Sequence, residues 1–199
     1  MDNYEYLIAG LPVLNREWSA NPGLSASELI AEIRELCSKK DNALIDDFLK
    51  GYDGENLNED FYTSMLSHSN DFMREFYRFD LNMRNAKVRY LNDTLGRAAD
   101  QDIFMEDSGE FDEAEDVKKI LYGSDLLEKE RGLDSVIWDK VTELNAFDYF
   151  DIDTVLGFIA KLKIIDRWLS LDEETGKEMF RKFVDEIRGT FKGVEYNEK

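Results

Sequence analysis

The chain is predicted to fold as an all-α, multi-helix bundle in about two lobes, and three observations carry that prediction. Phe72, Phe76, Phe79, Met83, Ala86 and Tyr90 alternate spacings of four and three, the seam of a helix packed lengthwise on another. Only 2 prolines and 12 glycines interrupt 199 residues, too few for a turn-rich β fold. The last third carries two amphipathic runs, about 153–171 and 172–191, joined by almost no loop. They can bury their apolar faces only by folding back as a helical hairpin, with Trp168 on the inner face behind Leu162 and Ile165.

Taken in order, residues 4–11 alternate (Tyr4, Tyr6, Ile8) as a short strand would, with a helical turn as the alternative, and Gly10 and Pro12 end them. Ser25 and Glu28 have capping-box spacing ahead of Leu29, Ile30, Ile33, Leu36 and Cys37, which recur at helical intervals. A second short helix covers about 42–50 and stops at Gly51. A polar loop follows over 52–59, then a helix from about 58 to 67. The longest helix runs from about 70 to 95, with Gly96 as its stop. A second stripe on it (Tyr77, Leu81, Val88, Leu91, Leu95) predicts contact on two sides. Residues 100–116 hold nine acidic side chains and no basic one. They read as a mobile acidic linker, an acidic docking loop being the alternative. That linker divides an N-terminal helical lobe, 1–99, from a C-terminal lobe, 117–199. Helices are expected near 112–122, 126–144, 153–171 and 172–191, with a frayed tail from 193.

Composition narrows the function. The chain is 43% hydrophobic and 13% aromatic, enough to bury a core, yet 44 acidic residues against 25 basic ones leave a net charge of −19. Such a surface repels phosphate backbones and anionic headgroups, so nucleic acid and direct membrane insertion are excluded as partners and basic protein surfaces are favoured. The opening residues lack the pattern of a signal peptide. The most apolar run, 155–171, is interrupted by Lys161, Lys163, Asp166 and Arg167 and falls short of the ~20 apolar residues a bilayer requires. A cytoplasmic protein is expected, peripheral to the inner membrane only through a membrane protein complex.

The search for chemistry returns no catalytic constellation. Cys37 is the single cysteine and reads as an inert thiol on a helix. His68, the single histidine, lies at a helix boundary, where capping or exposure is the ordinary use. One histidine cannot supply the paired Glu-x-x-His motifs of a di-iron bundle, and Met65 stands where the glutamate would be. A calcium loop starting at Asp53 fails because its sixth and twelfth positions are Asn58 and Ser64. Gly176-Lys177 lacks the upstream glycine of a phosphate loop, the position being Leu171. No enzyme, cofactor or metal site is expected.

One helix flank is chemically unusual. Asn82, Asn85 and Arg89 lie together on an otherwise apolar helix, with Arg84 close by. Buried amides and guanidinium groups need hydrogen-bond partners. These four residues therefore read as an interhelix polar clamp or, alternatively, as a partner contact.

Three blocks resemble an uncharacterised bacterial family encoded among V-type ATPase genes. They are the opening Tyr4-Glu5-Tyr6-Leu7-Ile8-Ala9-Gly10-Leu11-Pro12, the middle Leu81-Asn82-Met83-Arg84-Asn85-Ala86 to Leu95-Gly96-Arg97, and the end Tyr149-Phe150-Asp151 to Arg167-Trp168-Leu169-Ser170-Leu171-Asp172 with Gly176 and Phe180. That family is similar in turn, more distantly, to the funnel-shaped central-stalk protein of rotary A/V-type ATPases that joins the rotor stalk to the membrane ring. The stalk protein is all-helical, three-lobed and longer than this chain, and it has no active site. The resemblance implies a non-catalytic subunit or assembly factor whose partners are other V-type ATPase subunits, in the stalk or membrane ring. Two other classes stand beside it: an acidic helical adaptor or inhibitor that binds a basic protein surface, and a helical enzyme built from carboxylates.

Overall fold

The computed structural model describes residues 4–147 and 149–171. Among these the chain forms eight α-helices and two short 3-10 turns, with no strand: α1 (Tyr4–Gly10), α2 (Ala26–Leu36), α3 (Lys39–Lys50), α4 (Glu59–Leu66), α5 (Asp71–Thr94), α6 (Ala114–Leu121), α7 (Leu126–Leu144) and α8 (Ile152–Leu169), with 3-10 turns at Trp18–Ala20 and Gly54–Asn56. The all-α class expected from the apolar seam is the class observed. The second arm of the proposed hairpin, 172–191, and the tail lie outside the described residues.

Local chemistry sets the helix starts. Ser25, Asn58, Asn70, Asp125 and Asp151 each accept a backbone N–H three residues ahead, satisfying donors that a helix N-terminus leaves orphaned. Ser38 and Asp41 form a reciprocal capping box, so α3 begins at Lys39, ahead of the expected start near 42. The long helix stops in a Schellman arrangement. Gly96 has φ 65° and donates to the Asp93 carbonyl, while the Arg97 N–H reaches the Asn92 carbonyl at 2.8 Å.

The expected N-terminal strand is corrected: residues 4–10 are helical. Leu7 is buried, and Tyr4, Ile8 and Leu11 pack beside it, a spacing of three and four that outweighs the shorter alternation of Tyr4, Tyr6 and Ile8. Tyr6 is exposed, as a helix requires of a residue on the far face.

Two apolar clusters hold the bundle, and α5 belongs to both. Phe72, Met73, Phe76, Tyr77 and Leu81 join Leu7, Ile33, Ile45, Phe48, Tyr62 and Met65, and across to Val155, Leu156, Ile159 and Ala160 of α8. Phe79 and Met83 join Val117, Leu121 and Leu133 in the second. Two-sided contact on α5 therefore holds over its first half, whereas Leu91 and Leu95 at its end are exposed. Helix α8 is apolar nearly all round, as a central helix must be, and packs against α1, α2, α3 and α7. Gly157 lets α8 approach α7: a Cβ there would fall 2.9 Å from Cγ of Asn145 and 3.2 Å from Val141 Cγ1.

The core thus crosses the expected lobe boundary, and the mobile linker is corrected too. Residues 98–113 form an irregular strap hydrogen-bonded along α5, and Glu115 and Asp116 belong to the first turn of α6. The charge run suggested solvation, but its backbone is held by buried amides on the helix beneath.

Candidate functional site

Residues 82, 85, 89 and 92 recur at intervals of three and four, so they line one face of α5, and the strap runs antiparallel along that face. Asn82 makes a reciprocal pair with the main chain of Ser108, donating to its carbonyl at 3.0 Å and accepting from its N–H at 2.9 Å. Asn85 donates to the Met105 carbonyl at 3.0 Å and to Asp107 Oδ1 at 2.9 Å. Arg89 donates from Nε to Asp100 and from NH1 to Asp107, at 2.9 and 2.7 Å. Asn92 donates to the carbonyls of Ala99 and Gln101. The three asparagines are buried, and their amides supply the strap with the hydrogen bonds that its irregular backbone cannot make to itself. This is a polar clamp of helix to strap, with Asn92 as a fourth member and Arg84 elsewhere.

Arg84 faces the opposite side of α5, into a cleft of about 490 Å³ bounded by α5, α7, α8 and the turn after α3. Its Nε donates to Asp80 at 2.7 Å, and Tyr62 donates its hydroxyl to the same carboxylate at 2.5 Å. Tyr77, buried beside them, donates to the Phe48 carbonyl. Burial first and the Asp80 charge second push the Tyr62 hydroxyl far above the ordinary tyrosine range. Burial likewise raises Tyr77. Tyr52 is raised by the same causes, but it is 41% exposed and the restraint on its hydroxyl is correspondingly weaker. On the far wall Arg167 reaches Asp134 at 2.5 Å and Glu130 at 3.1 Å, and Lys163 reaches Asp166 at 3.3 Å. Desolvation by the walls lowers the Lys87 ammonium, Arg84 adding to the shift and Glu130 and Asp80 opposing it. Lys87 remains open to solvent, which blunts the effect.

Asp134 also ties this cleft to a cluster of all three tryptophans. Trp168 Nε1 donates to Asp134 at 2.6 Å, and its ring stacks on Trp18 with centroids 6.0 Å apart. Trp138 lies in the same shallow depression, and Arg131 and Arg167 sit over the Trp168 ring. Trp168 is buried, as its position behind Leu162 and Ile165 predicted.

His68 serves its turn: Nδ1 accepts the Asn70 N–H at 3.0 Å and its carbonyl accepts from Arg74. Among the described residues no group of three or more His, Cys, Asp or Glu is placed to hold a metal ion. None of their helices is long and apolar enough to cross a membrane.

The cleft went unread in the sequence, although one signal was present. Asp80, Arg84 and Lys87 are spaced by four and three along α5, beside the apolar seam of Phe76, Phe79 and Met83, which marks a polar line next to a buried surface. The comparison with known families finds similarity over residues 104–190, which match the family described as "Protein of unknown function (DUF2764)". That match runs from the strap through α6, α7 and α8 and covers less than half of the 199 residues. No curated protein and no solved structure matches the chain.

Proposed function

We propose that this chain is a non-catalytic subunit or assembly factor of a bacterial V-type rotary ATPase, docking to the central stalk or membrane ring from the cytoplasmic side. The reading rests first on the three sequence blocks that resemble a family encoded with V-type ATPase genes. The observation that carries it in three dimensions is the turn between α7 and α8, which opens the most specific of those blocks. Phe147, Tyr149 and Phe150 are 89%, 67% and 57% exposed there. Single exposed apolar residues are ordinary, but three aromatic rings within four positions form the kind of anchor that protein interfaces bury. The chain's net charge of −19 favours a basic counterpart and speeds encounter with it.

The adaptor reading receives less support. A mimic of nucleic acid needs a row of free acids, whereas Asp100 and Asp107 of the strap are engaged by Arg89 and Glu113 by Lys140. The decisive experiment is co-elution of the purified chain with isolated stalk and ring subcomplexes at low salt, where charge-driven contacts are strongest. Binding is expected, weakening as salt rises, and lost in a Phe147→Ser, Tyr149→Ser, Phe150→Ser variant that melts like the parent. Failure to bind any subcomplex ends the ATPase reading and leaves the adaptor in its place.

A further inference from the structure

The exposed aromatic turn between α7 and α8 stands near an acidic cleft. That cleft, of about 360 Å³, lies between the first half of α5, the end of the strap and α7. Phe79 and Phe111 line it, edge to face with centroids 6.0 Å apart. Two of its acids are neutralised: Glu75 takes Arg78 at 2.8 Å, and Glu113 takes Lys140 at 2.9 Å. Glu110 and Asp112 are exposed and have no ion pair among the described residues, so the cleft carries two surplus negative charges. The ground between cleft and turn is acidic as well. Glu143 shares Lys140 with Glu113, and Asp71 shares Arg74 with Glu75. Asp153 is tied to Asn70 at the head of α5, and Asp151 caps α8. These eight acids stand against three bases, and including Lys118 and Lys119, further along α6, still leaves eight against five. From 141 to 160 the sequence has no lysine, arginine or histidine. Phe147 follows Lys140 of the cleft by seven residues, about 10 Å of rise along α7. One helix of another protein, itself about 10–12 Å across, can therefore touch both.

We infer that the turn and the cleft form one docking surface for a basic amphipathic helix of a partner protein. Its apolar stripe packs on Phe147, Tyr149 and Phe150, and lysine or arginine side chains on the adjoining flank reach Glu110 and Asp112. Charge decides between the occupants. A second copy of this chain, at −19, would bring acid against acid. An acidic helix would be repelled in the same way, and an uncharged one would gain nothing from the cleft. The inference rests on the reading of the aromatic turn as a docking anchor and adds the chemistry of what docks there. It does not require that the partner belong to an ATPase.

Fluorescence anisotropy of labelled synthetic helices against the full chain tests it, at about 0.15 M salt to screen long-range attraction. The probe is an amphipathic leucine–lysine peptide of roughly 18 residues, long enough to be helical. Leucine–glutamate and serine–lysine peptides of the same length are the controls. The leucine–lysine peptide should saturate at one per chain, and the other two should bind at least about tenfold more weakly. Glu110→Lys with Asp112→Lys should weaken it at least about tenfold, as should Phe147→Ser, Tyr149→Ser, Phe150→Ser together. All five side chains are exposed, so both variants should melt like the parent. Should the lysine pair shift the melt, Glu110→Gln with Asp112→Asn is expected to weaken binding at least about threefold. Asp116→Lys with Glu128→Lys makes the same change of net charge in a separate groove between α6 and α7, and should leave binding within about twofold. The inference is overturned if the leucine–lysine peptide does not saturate, if either control binds as tightly, or if the two pairs of lysine substitutions weaken binding equally. A dimer in sedimentation that the serine variant dissolves would give the surface to a second copy and overturn it too. No ATPase subunit enters the assay, so its failure is distinct from failure of the co-elution that tests the ATPase reading.

Discussion

Replacing Trp168 with alanine should be among the most destabilising single changes in this bundle. Trp168 is 6% exposed, stacks on Trp18 at an interplanar angle of 11°, and donates to Asp134 at 2.6 Å. Truncating a buried tryptophan costs about 3–5 kcal/mol, through lost transfer free energy and the cavity left behind. For a chain of this size each kcal/mol lowers the midpoint by roughly 2–4 °C, so a fall of roughly 6–20 °C is expected. Helix-detected thermal or urea unfolding is the right assay, because the substitution itself alters tryptophan emission. The shared core adds a sharper expectation: Val155, Leu156, Ile159 and Ala160 of α8 pack in one cluster with Leu7, Ile33 and Phe48, so the variant should still unfold in one transition. Trp168→Phe, which keeps a ring but gives up the bond to Asp134, should cost about 1–3 kcal/mol. A loss below about 1 kcal/mol for Trp168→Ala would refute the packing argument. A separate early transition confined to the C-terminal helices would refute the shared core.

The strap separates charge reversals into two classes. Asp107→Lys, which removes one of the two partners of Asn85 and one of the two of Arg89, should cost about 1–2 kcal/mol given its partial exposure, whereas exposed Glu106→Lys should stay within about 0.5 kcal/mol by urea unfolding. Gly51→Ala should cost at least about 2 kcal/mol, because its Cβ would fall 2.5 Å from Cε1 and 2.7 Å from Cζ of buried Tyr77; a stable variant would show that Tyr77 can move. Stability should also fall at alkaline pH. Tyr62 and Tyr77 keep their protons in the fold above the pH at which the unfolded chain releases them. Their contribution is thus intact below about pH 10 and lost as pH rises beyond it, by up to about 1.4 kcal/mol per pH unit for each tyrosine. Urea unfolding from pH 9 to 11 should show that slope, and Tyr62→Phe should reduce it.

Much of this architecture was legible because local chemistry and tertiary packing agree. Ser25, Asn58 and Asn70 announce helix starts that they cap, and Gly96 adopts the left-handed conformation expected of a helix stop. Errors arose where two patterns competed in a short window. Residues 4–10 are too few for alternation to be told from a helical stripe, and the acidic run 100–116 reads as solvated because its attachment is made by its backbone. The amides of Asn82, Asn85 and Asn92 bond mostly carbonyls, which every residue has, so no side-chain signal in the strap reveals the match. The cleft was hidden for another reason: Asp80 and Arg84 sit close in sequence, but Asp134, Lys163 and Arg167 come from helices whose register only the fold defines.

The way the strap is held also gives it a distinctive chemical visibility. Between Arg97 and Lys118 the chain has no lysine or arginine, so trypsin finds no bond to cut there, whether the strap is attached or lifted. A protease that cleaves after acidic residues meets nine sites within 100–116. The asparagines on α5 grip the main chain itself at Ala99, Gln101, Met105 and Ser108, the atoms that must enter such an enzyme's groove. Cleavage in the strap therefore reports its local opening rather than unfolding of the bundle. Comparing the two enzymes on one sample would measure how often that opening occurs, with the trypsin pattern of the helices as the internal control.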